Sequence, residues 1–356
     1  MSHTFLFQPT NGIGLGHVSR LASIALAVQR LRPESRILFA VLGGSHSLLQ
    51  SWGLPSVSVP VDLEYGEQVW SGWSPLERAR LGYAMAFGIL KAANPSLVIF
   101  DCLAGPSFAK AAIAQNRAIA MCLREMNDWT AFEESSIGIL DAARALIVAH
   151  EPASFQLPES LAVKAQFVGE IVKPSAQGEV PADASYDVVI TGGGGGARNT
   201  IHFYNAAVEA FRRCRTLHPH LKALLVTGPL FTDWYRLETT DGVKIVPCEP
   251  NLSGLFSRCR LVLAQAGYNT LAEVAQTGVP AISVPVETYF DNQMKRAERL
   301  ALASNGKVRV AQGSNPLEIC QLMLELLKQP PSEYATKPVS LGADRAARIL
   351  VDLAEA

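Results

Sequence analysis

The stretch LVLAQAGYNTLAEVAQTGVPAISVPVETYFDNQMKRAERL, Leu261–Leu300, decides the fold. It opens on an apolar, β-rich run that ends at Ala264, turns through Ala266-Gly267, and enters a helix-period segment at Tyr268-Asn269-Thr270. Gly278-Val279-Pro280 stops that helix, a second apolar run reaches Pro285, and a loop then delivers Asp291-Asn292-Gln293 to the next helix start. Short continuous apolar strands alternating with helices are the mark of βα units on a parallel sheet, because such strands are covered on both faces.

The same pattern extends in both directions. Around this block, strands are read at 186–191, 223–227, 243–247, 261–264, 281–285 and 307–310. An earlier series falls at 4–8, 36–42, 56–60, 97–101, 118–122 and 145–149. The helix after the first strand is marked by Val18, Leu21, Ala22, Ala25, Val28 and Leu31 at helical spacing. Between the two series the pattern dissolves into GEIVKPSAQGEVPAD, rich in Pro, Gly and charge. The reading is an α/β chain of two Rossmann-like domains: 1–167, a linker over 168–183, and 184–330. Residues 331–356 form a last segment whose final amphipathic helix can return to the N-terminal domain.

Composition agrees with two packed cores. The chain has 356 residues, 49% hydrophobic and 18% charged, which suits a folded protein long enough for two domains. Lys plus Arg number 12 against 14 acidic residues up to Glu170, and 19 against 18 beyond it. Neither half carries the positive excess that nucleic-acid binding needs. Ile37–Val61 is uncharged, yet Gly43, Gly44, Pro55 and Pro60 interrupt it, so it reads as strand, short helix, strand rather than a membrane span. Six scattered cysteines without a C-x-x-C pair, and no apolar leader, point to the reducing cytoplasm.

Four places carry candidate chemistry. In NGIGLGHVSR, Asn11–Arg20, the glycines Gly12, Gly14 and Gly16 allow a tight turn and close ligand approach at a helix start. The second strand ends Val41-Leu42-Gly43-Gly44 without the acidic residue that would hold a dinucleotide ribose, which argues against NAD or FAD. His17 is placed to accept a proton near neutral pH, or else simply caps its helix. Asp101, at the end of the strand Ser96-Leu-Val-Ile-Phe100, can pair with His17 or cap the next helix. The run TGGGGGARN, Thr191–Asn199, lacks a P-loop lysine; close approach of a ligand or of the opposite domain is its expected reason. In the 261–300 block, the helix start at Gly267, Tyr268, Asn269 and Thr270 suits a diphosphate. Glu273 lies one turn on, where it can accept from a ribose diol, and Asp291, Asn292 and Gln293 can hold sugar hydroxyls. Read singly, Asn269 and Asp291 are ordinary caps and Glu273 a charge complementing the helix dipole.

Taken together, the Gly16-His17 loop, the TGGGGGA turn, the AGYNTLAEVAQTGVPAISVP block and the DNQ loop resemble the GT-B glycosyltransferases of family 28, the MurG-like type. That resemblance covers nearly the whole chain and implies two Rossmann-like domains facing each other across a cleft. It implies that Glu273 holds the ribose hydroxyls and that Gly267–Thr270 meets the diphosphate. Gln293 would read the transferred sugar, and backbone groups around Val246 would contact the base. The glycine loops, Gly14 and Gly16 with Gly193 and Gly194, would face the donor phosphates, and Asp101 would orient a catalytic His17. The chain departs from the family pattern with GIGLGH in its first loop, Gln265 where a Ser-Arg pair is common, and its own LREMND over Leu123–Asp128.

The expectation is therefore an inverting glycosyltransferase working from a UDP-linked sugar to a hydroxyl-bearing small-molecule or lipid-linked acceptor. No Asp-x-Asp occurs in the chain, so no metal and no cofactor is expected. Hydrolysis of a UDP-sugar, or nucleotide-sugar binding without catalysis, are the alternatives. Arg78–Lys91 (RARLGYAMAFGILK) reads either as a buried helix or as a basic, apolar patch for peripheral membrane contact. Trp70, Trp73 and Trp129 are candidates for an acceptor platform, although scattered Trp residues usually pack.

Overall fold

The computed structural model describes residues 2–9, 15–41, 45–59, 72–152, 156–172, 186–197, 199–249, 251–287, 292–328 and 341–356. The chain divides into two compact units: Met1–Gly12 with His17–Lys173 and Ser340–Ala356, and Ile13–Gly16 with Pro174–Val339.

The first unit holds strands β1 (Thr4–Pro9), β2 (Arg36–Val41), β3 (Ser56–Ser58), β4 (Leu97–Asp101), β5 (Ile119–Leu123), β6 (Ala143–Val148) and β7 (Ala165–Phe167). Its helices are α1 (Gly16–Leu31), α2 (His46–Ser51), α3 (Pro75–Ala93), α4 (Pro106–Ala114), α5 (Trp129–Ala142) and α6 (Glu159–Ala162). The strands form one parallel sheet in the order β3-β2-β1-β4-β5-β6-β7. Chain direction across the sheet reverses between β1 and β4, where Pro9 stands beside Asp101. The alternation of side chains along a strand splits the core in two. Phe5, Phe7, Phe39 and Ile99 pack under α1, while Leu6, Val98 and Phe100 pack against α3, α4 and α5.

The second unit holds β8 (Val188–Thr191), β9 (Ala223–Val226), β10 (Val243–Val246), β11 (Leu261–Gln265), β12 (Ala281–Val284) and β13 (Val308–Val310), with α7 (Thr200–Leu217), α8 (Leu252–Phe256), α9 (Tyr268–Thr277), α10 (Gln293–Ala303) and α11 (Pro316–Leu327). Its sheet is also parallel, in the order β10-β9-β8-β11-β12-β13, and its reversal falls between β8 and β11. Gly278, at φ 67, ends α9 in the left-handed conformation that the Gly-Val-Pro signal implied.

The last helix, α12 (Gly342–Glu355), packs into the first unit: Ala343, Ala346, Ala347, Leu350 and Val351 are buried in the same core as Phe5 and Ile24. The ion pairs Arg30–Asp344 and Arg32–Glu355 add little, because both are exposed; the apolar face holds the helix. Its start needs glycine, since a Cβ on Gly342 would stand 2.2 Å from the Glu170 carbonyl oxygen. Val168 and Ile171, read from the sequence as linker, are buried in this core as well.

Two local readings change. The short edge strand β7 was not foreseen. Of the two readings of Arg78–Lys91, the buried helix does not hold: of α3 only Gly82, Ala86 and Leu90 are buried, while Leu76, Tyr83, Met85 and Phe87 face outward. A Ser74/Glu77 capping box with Pro75 fixes its start.

Candidate active site

Ligands of open α/β sheets bind beyond the carboxyl ends of the strands where the chain direction reverses. In the first unit that point is the β1/β4 pair. His17 is the second residue of α1, and Asp101 is the last of β4. His17 Nδ1 lies 3.2 Å from Asp101 Oδ2, close enough for an ion pair though off the line of a well-formed hydrogen bond. The two residues are thus brought together. Asp101 is fully buried and His17 is 23% exposed.

Asp101 caps no helix. The N-cap of α4 is Gly105, whose N–H donates to Gln8 Oε1 at 2.9 Å. The carboxylate is instead held from three sides. Arg20 Nε donates to Oδ1 at 3.3 Å and Oδ2 at 3.1 Å, and Arg20 Nη2 lies 3.1 Å from Oδ2. Cys102 Sγ donates to Oδ1 at 3.3 Å. Burial alone would push the Asp101 carboxyl up, but the Arg20 and His17 charges and the hydrogen bonds overcome it and hold the carboxyl below its ordinary value. Burial, with the Asp101 charge beside it, pushes the Cys102 thiol up to about 12, so it stays protonated and donates. Cys102 reaches this place through φ 60, unusual for a residue with a Cβ.

His17, Asp101 and Cys102 together form a donor set of the kind that can hold a metal ion. They fit one poorly here, because the guanidinium of Arg20 already grips and neutralises the carboxylate. Gly14 lies outside the described residues, and Gly16 opens α1.

In the second unit the reversal point lies between β8 and β11, whose ends Thr191 and Ala264 stand side by side. Gly193, at φ 72, follows β8; its N–H donates to Thr191 Oγ1 at 3.1 Å, and a Cβ there would meet only Thr270 Oγ1, at 3.6 Å. Much of the glycine run answers to the unit's own packing. A Cβ on Gly195 would stand 2.2 Å from the Thr227 carbonyl oxygen, and one on Gly192 would stand 2.7 Å from Tyr204 Oη. Gly194 accepts from Leu230 N at 3.0 Å. The expected reason, approach by a ligand or the opposite domain, therefore does not account for Gly192 and Gly195.

Gly267 is the N-cap of α9 and supplies no side-chain cap, so the first-turn N–H groups of Tyr268, Asn269 and Thr270 point along the helix axis. Asn269 is accordingly not the cap. Arg296 of α10 steadies this turn: its Nη1 donates to the Ala266 carbonyl at 3.1 Å, and its guanidinium sits 5.6 Å from the Tyr268 ring centre. Glu273 lies in the second turn of α9 and is half-buried, with Oε2 inside; the dipole reading, which needs a first-turn residue, does not fit.

Asn292 is the cap of α10, its Oδ1 accepting from Lys295 N at 2.9 Å, while Gln293 Oε1 accepts from Val286 N at 3.1 Å and closes the loop after β12. Asp291 lies outside the described residues. Val246 ends β10, and its carbonyl accepts from Thr227 N at 3.0 Å. The described groups stand at the carboxyl edge of the second sheet. Of the tryptophans, Trp129 packs edge-on against Phe132 at 5.8 Å, Trp73 is exposed, and Trp70 lies outside the described residues.

Residues 187–350 match the glycosyltransferase family 28 C-terminal domain. Most of the second unit is similar to a family 28 glycosyltransferase domain. The resemblance read from the 261–300 block thus holds. The chain is 26% identical over 377 residues to the UDP-N-acetylglucosamine--N-acetylmuramyl-(pentapeptide) pyrophosphoryl-undecaprenol N-acetylglucosamine transferase of Solidesulfovibrio magneticus, covering 99% of this chain and 98% of that protein. With the enzyme of the same name from Paenarthrobacter aurescens it shares 27% identity over 191 residues, 51% of this chain, and it spans only half that relative's length.

Among solved structures, MurG of Acinetobacter baumannii matches with TM-score 0.58 at 16% identity over 99% of both chains. A putative UDP-N-acetylglucosamine 2-epimerase from Listeria monocytogenes matches with TM-score 0.66 at 12% identity, over 98% of this chain and 94% of that one. The fold is therefore GT-B, as the sequence implied.

Sequence reasoning missed Arg20 and Cys102. Arg20 stands in an apolar helical stripe between Val18 and Leu21, where a lone arginine reads as a surface residue. Its one signal was the spacing from His17, which puts both on one side of α1. Among the described residues no helix is long and apolar enough to cross a membrane.

Proposed function

We propose that this protein is an inverting glycosyltransferase that moves a sugar from a UDP-sugar to a hydroxyl-bearing acceptor without a metal ion. The observation that carries this reading is the His17–Asp101 pair at the reversal point of the first sheet, in a chain whose second unit is largely similar to a family 28 domain. Asp101 faces Nδ1 and so favours the tautomer that leaves Nε2 free to take a proton. As the acceptor oxygen bonds to the anomeric carbon from the face opposite the diphosphate, its proton passes to His17 Nε2. The bond to the diphosphate breaks and UDP leaves. The uncapped first turn of α9 supplies N–H donors for the leaving diphosphate, and Glu273 accepts from the ribose diol.

The family 28 relatives are named for a lipid-linked acceptor, and one feature supports peripheral membrane contact. Leu76, Tyr83 and Phe87 share the outer side of α3 with Arg80 and Lys91, next to exposed Trp73. Sedimentation with anionic vesicles tests that contact, which fails if the protein stays in the supernatant.

UDP release from a panel of UDP-sugars, measured in EDTA with and without lipid-linked and soluble hydroxyl acceptors, tests the activity. Release that depends on an acceptor supports transfer. Equal release without one makes water the acceptor, and none with any donor removes the reading.

A further inference from the structure

Arg20 is 2% exposed and among the largest fully buried side chains of the chain. Taking a guanidinium out of water is costly, and a buried ion pair seldom stabilises a fold more than apolar residues of the same size would. Its neighbours on α1, Val18, Leu21, Ala22 and Ile24, are apolar and buried, so an aliphatic side chain would serve the core as well. What Arg20 does instead is grip Asp101 with two nitrogens, Nε and Nη2, while Cys102 Sγ holds Oδ1. The carboxylate cannot swing, and Oδ2 is kept 3.2 Å from His17 Nδ1.

The geometry points to Arg20 as the positioning residue of the His17–Asp101 pair: its planar fork fixes the carboxylate that orients the base. The inference rests on the reading of His17 as the base. Among the described residues, the charged and titratable groups acting on Asp101 are Arg20 and His17 from α1 and Cys102 beside it; Asp101 in turn acts on Cys122 of β5, and Arg124 on Cys102. Arg20 is the permanent cation in contact with the carboxylate. Without it, burial prevails and Asp101 takes up its proton at higher pH. The neutral acid then no longer supports His17.

Steady-state kinetics of Arg20→Gln and Arg20→Lys across pH test this. Arg20→Gln should lower kcat on the order of 10²-fold with donor KM unchanged, the cost of a misplaced catalytic group. The acid limb of its kcat profile should move to higher pH. Arg20→Lys, which keeps the charge and loses the fork, should leave the acid limb in place while kcat stays reduced; if Arg20→Gln does not fold, Arg20→Lys carries the test against the wild type. A wild-type kcat, or a lowered melting temperature with the acid limb of Arg20→Gln unmoved, overturns the inference. Should His17→Ala keep its kcat, the reading of the base falls first; should His17→Ala lose it while Arg20→Gln does not, only the role of Arg20 falls.

Discussion

Tyr204 Oη donates to the Thr227 carbonyl at 2.7 Å and accepts from Gly192 N at 3.0 Å, so one buried phenol of α7 ties the turn after β8 to the turn after β9. Burial pushes this phenol well above its ordinary value, and it remains a neutral donor at any working pH. Tyr204→Phe keeps the ring, its edge contact with Phe231 included, and removes both bonds. A loss of about 1–3 kcal/mol is expected for the stranded backbone groups, read by thermal or urea unfolding. Gly195→Ala should destabilise by more than about 1 kcal/mol, because φ 80 and the Thr227 carbonyl both exclude a Cβ. Gly313→Ala, where a Cβ meets nothing within 4 Å, serves as the neutral comparison.

Asp101 sets a second expectation through pH. Its folded carboxyl titrates below the ordinary value of 3.8, so its contribution to stability is present above that pH and is lost as pH falls through the lower folded value. Asp101→Asn leaves Arg20 buried without its counter-charge and should cost about 3–5 kcal/mol near neutrality. The gap between wild type and variant should narrow below about pH 4. Melting temperatures from pH 2 to 7 decide this, and a gap that persists unchanged into acid contradicts it.

For Glu273 the expected loss is in binding. Glu273→Gln keeps the shape of a half-buried side chain and removes the charge that would accept from a ribose diol. UDP affinity should fall by about 10–100-fold, the worth of hydrogen bonds to a charged group, with the melting temperature nearly unchanged. Calorimetric titration with UDP gives the answer. Unchanged affinity with a lowered melting temperature makes Glu273 a structural residue.

Much of this was legible in the sequence because period and punctuation act locally. The apolar runs of both sheets, the stop at Gly278 and the strand-end position of Asp101 need only short-range rules. The return of α12 to the first unit could be left open but not decided, since any compatible apolar face would bury Leu350. What the sequence concealed depends on partners far along the chain. Arg20 meets Asp101 across 81 residues. Gly195 is required by Thr227 in another loop, so a run that reads as a ligand loop is partly a packing device. The α3 helix misled for a related reason: RARLGYAMAFGILK has apolar residues all round, and only the packing against α4 shows which of them face outward.

The central claim is that His17 takes the proton of the acceptor. It is tested most directly by steady-state kinetics of His17→Ala with the preferred UDP-sugar, alongside UDP binding to the same variant. The account predicts a kcat lowered by about 10²–10⁴-fold, the usual worth of a general base, with UDP affinity and melting temperature unchanged and Asp101→Asn less severely slowed. A kcat near the wild-type value with a raised donor KM would contradict it, making His17 a phosphate contact or a helix-start residue and leaving the base elsewhere.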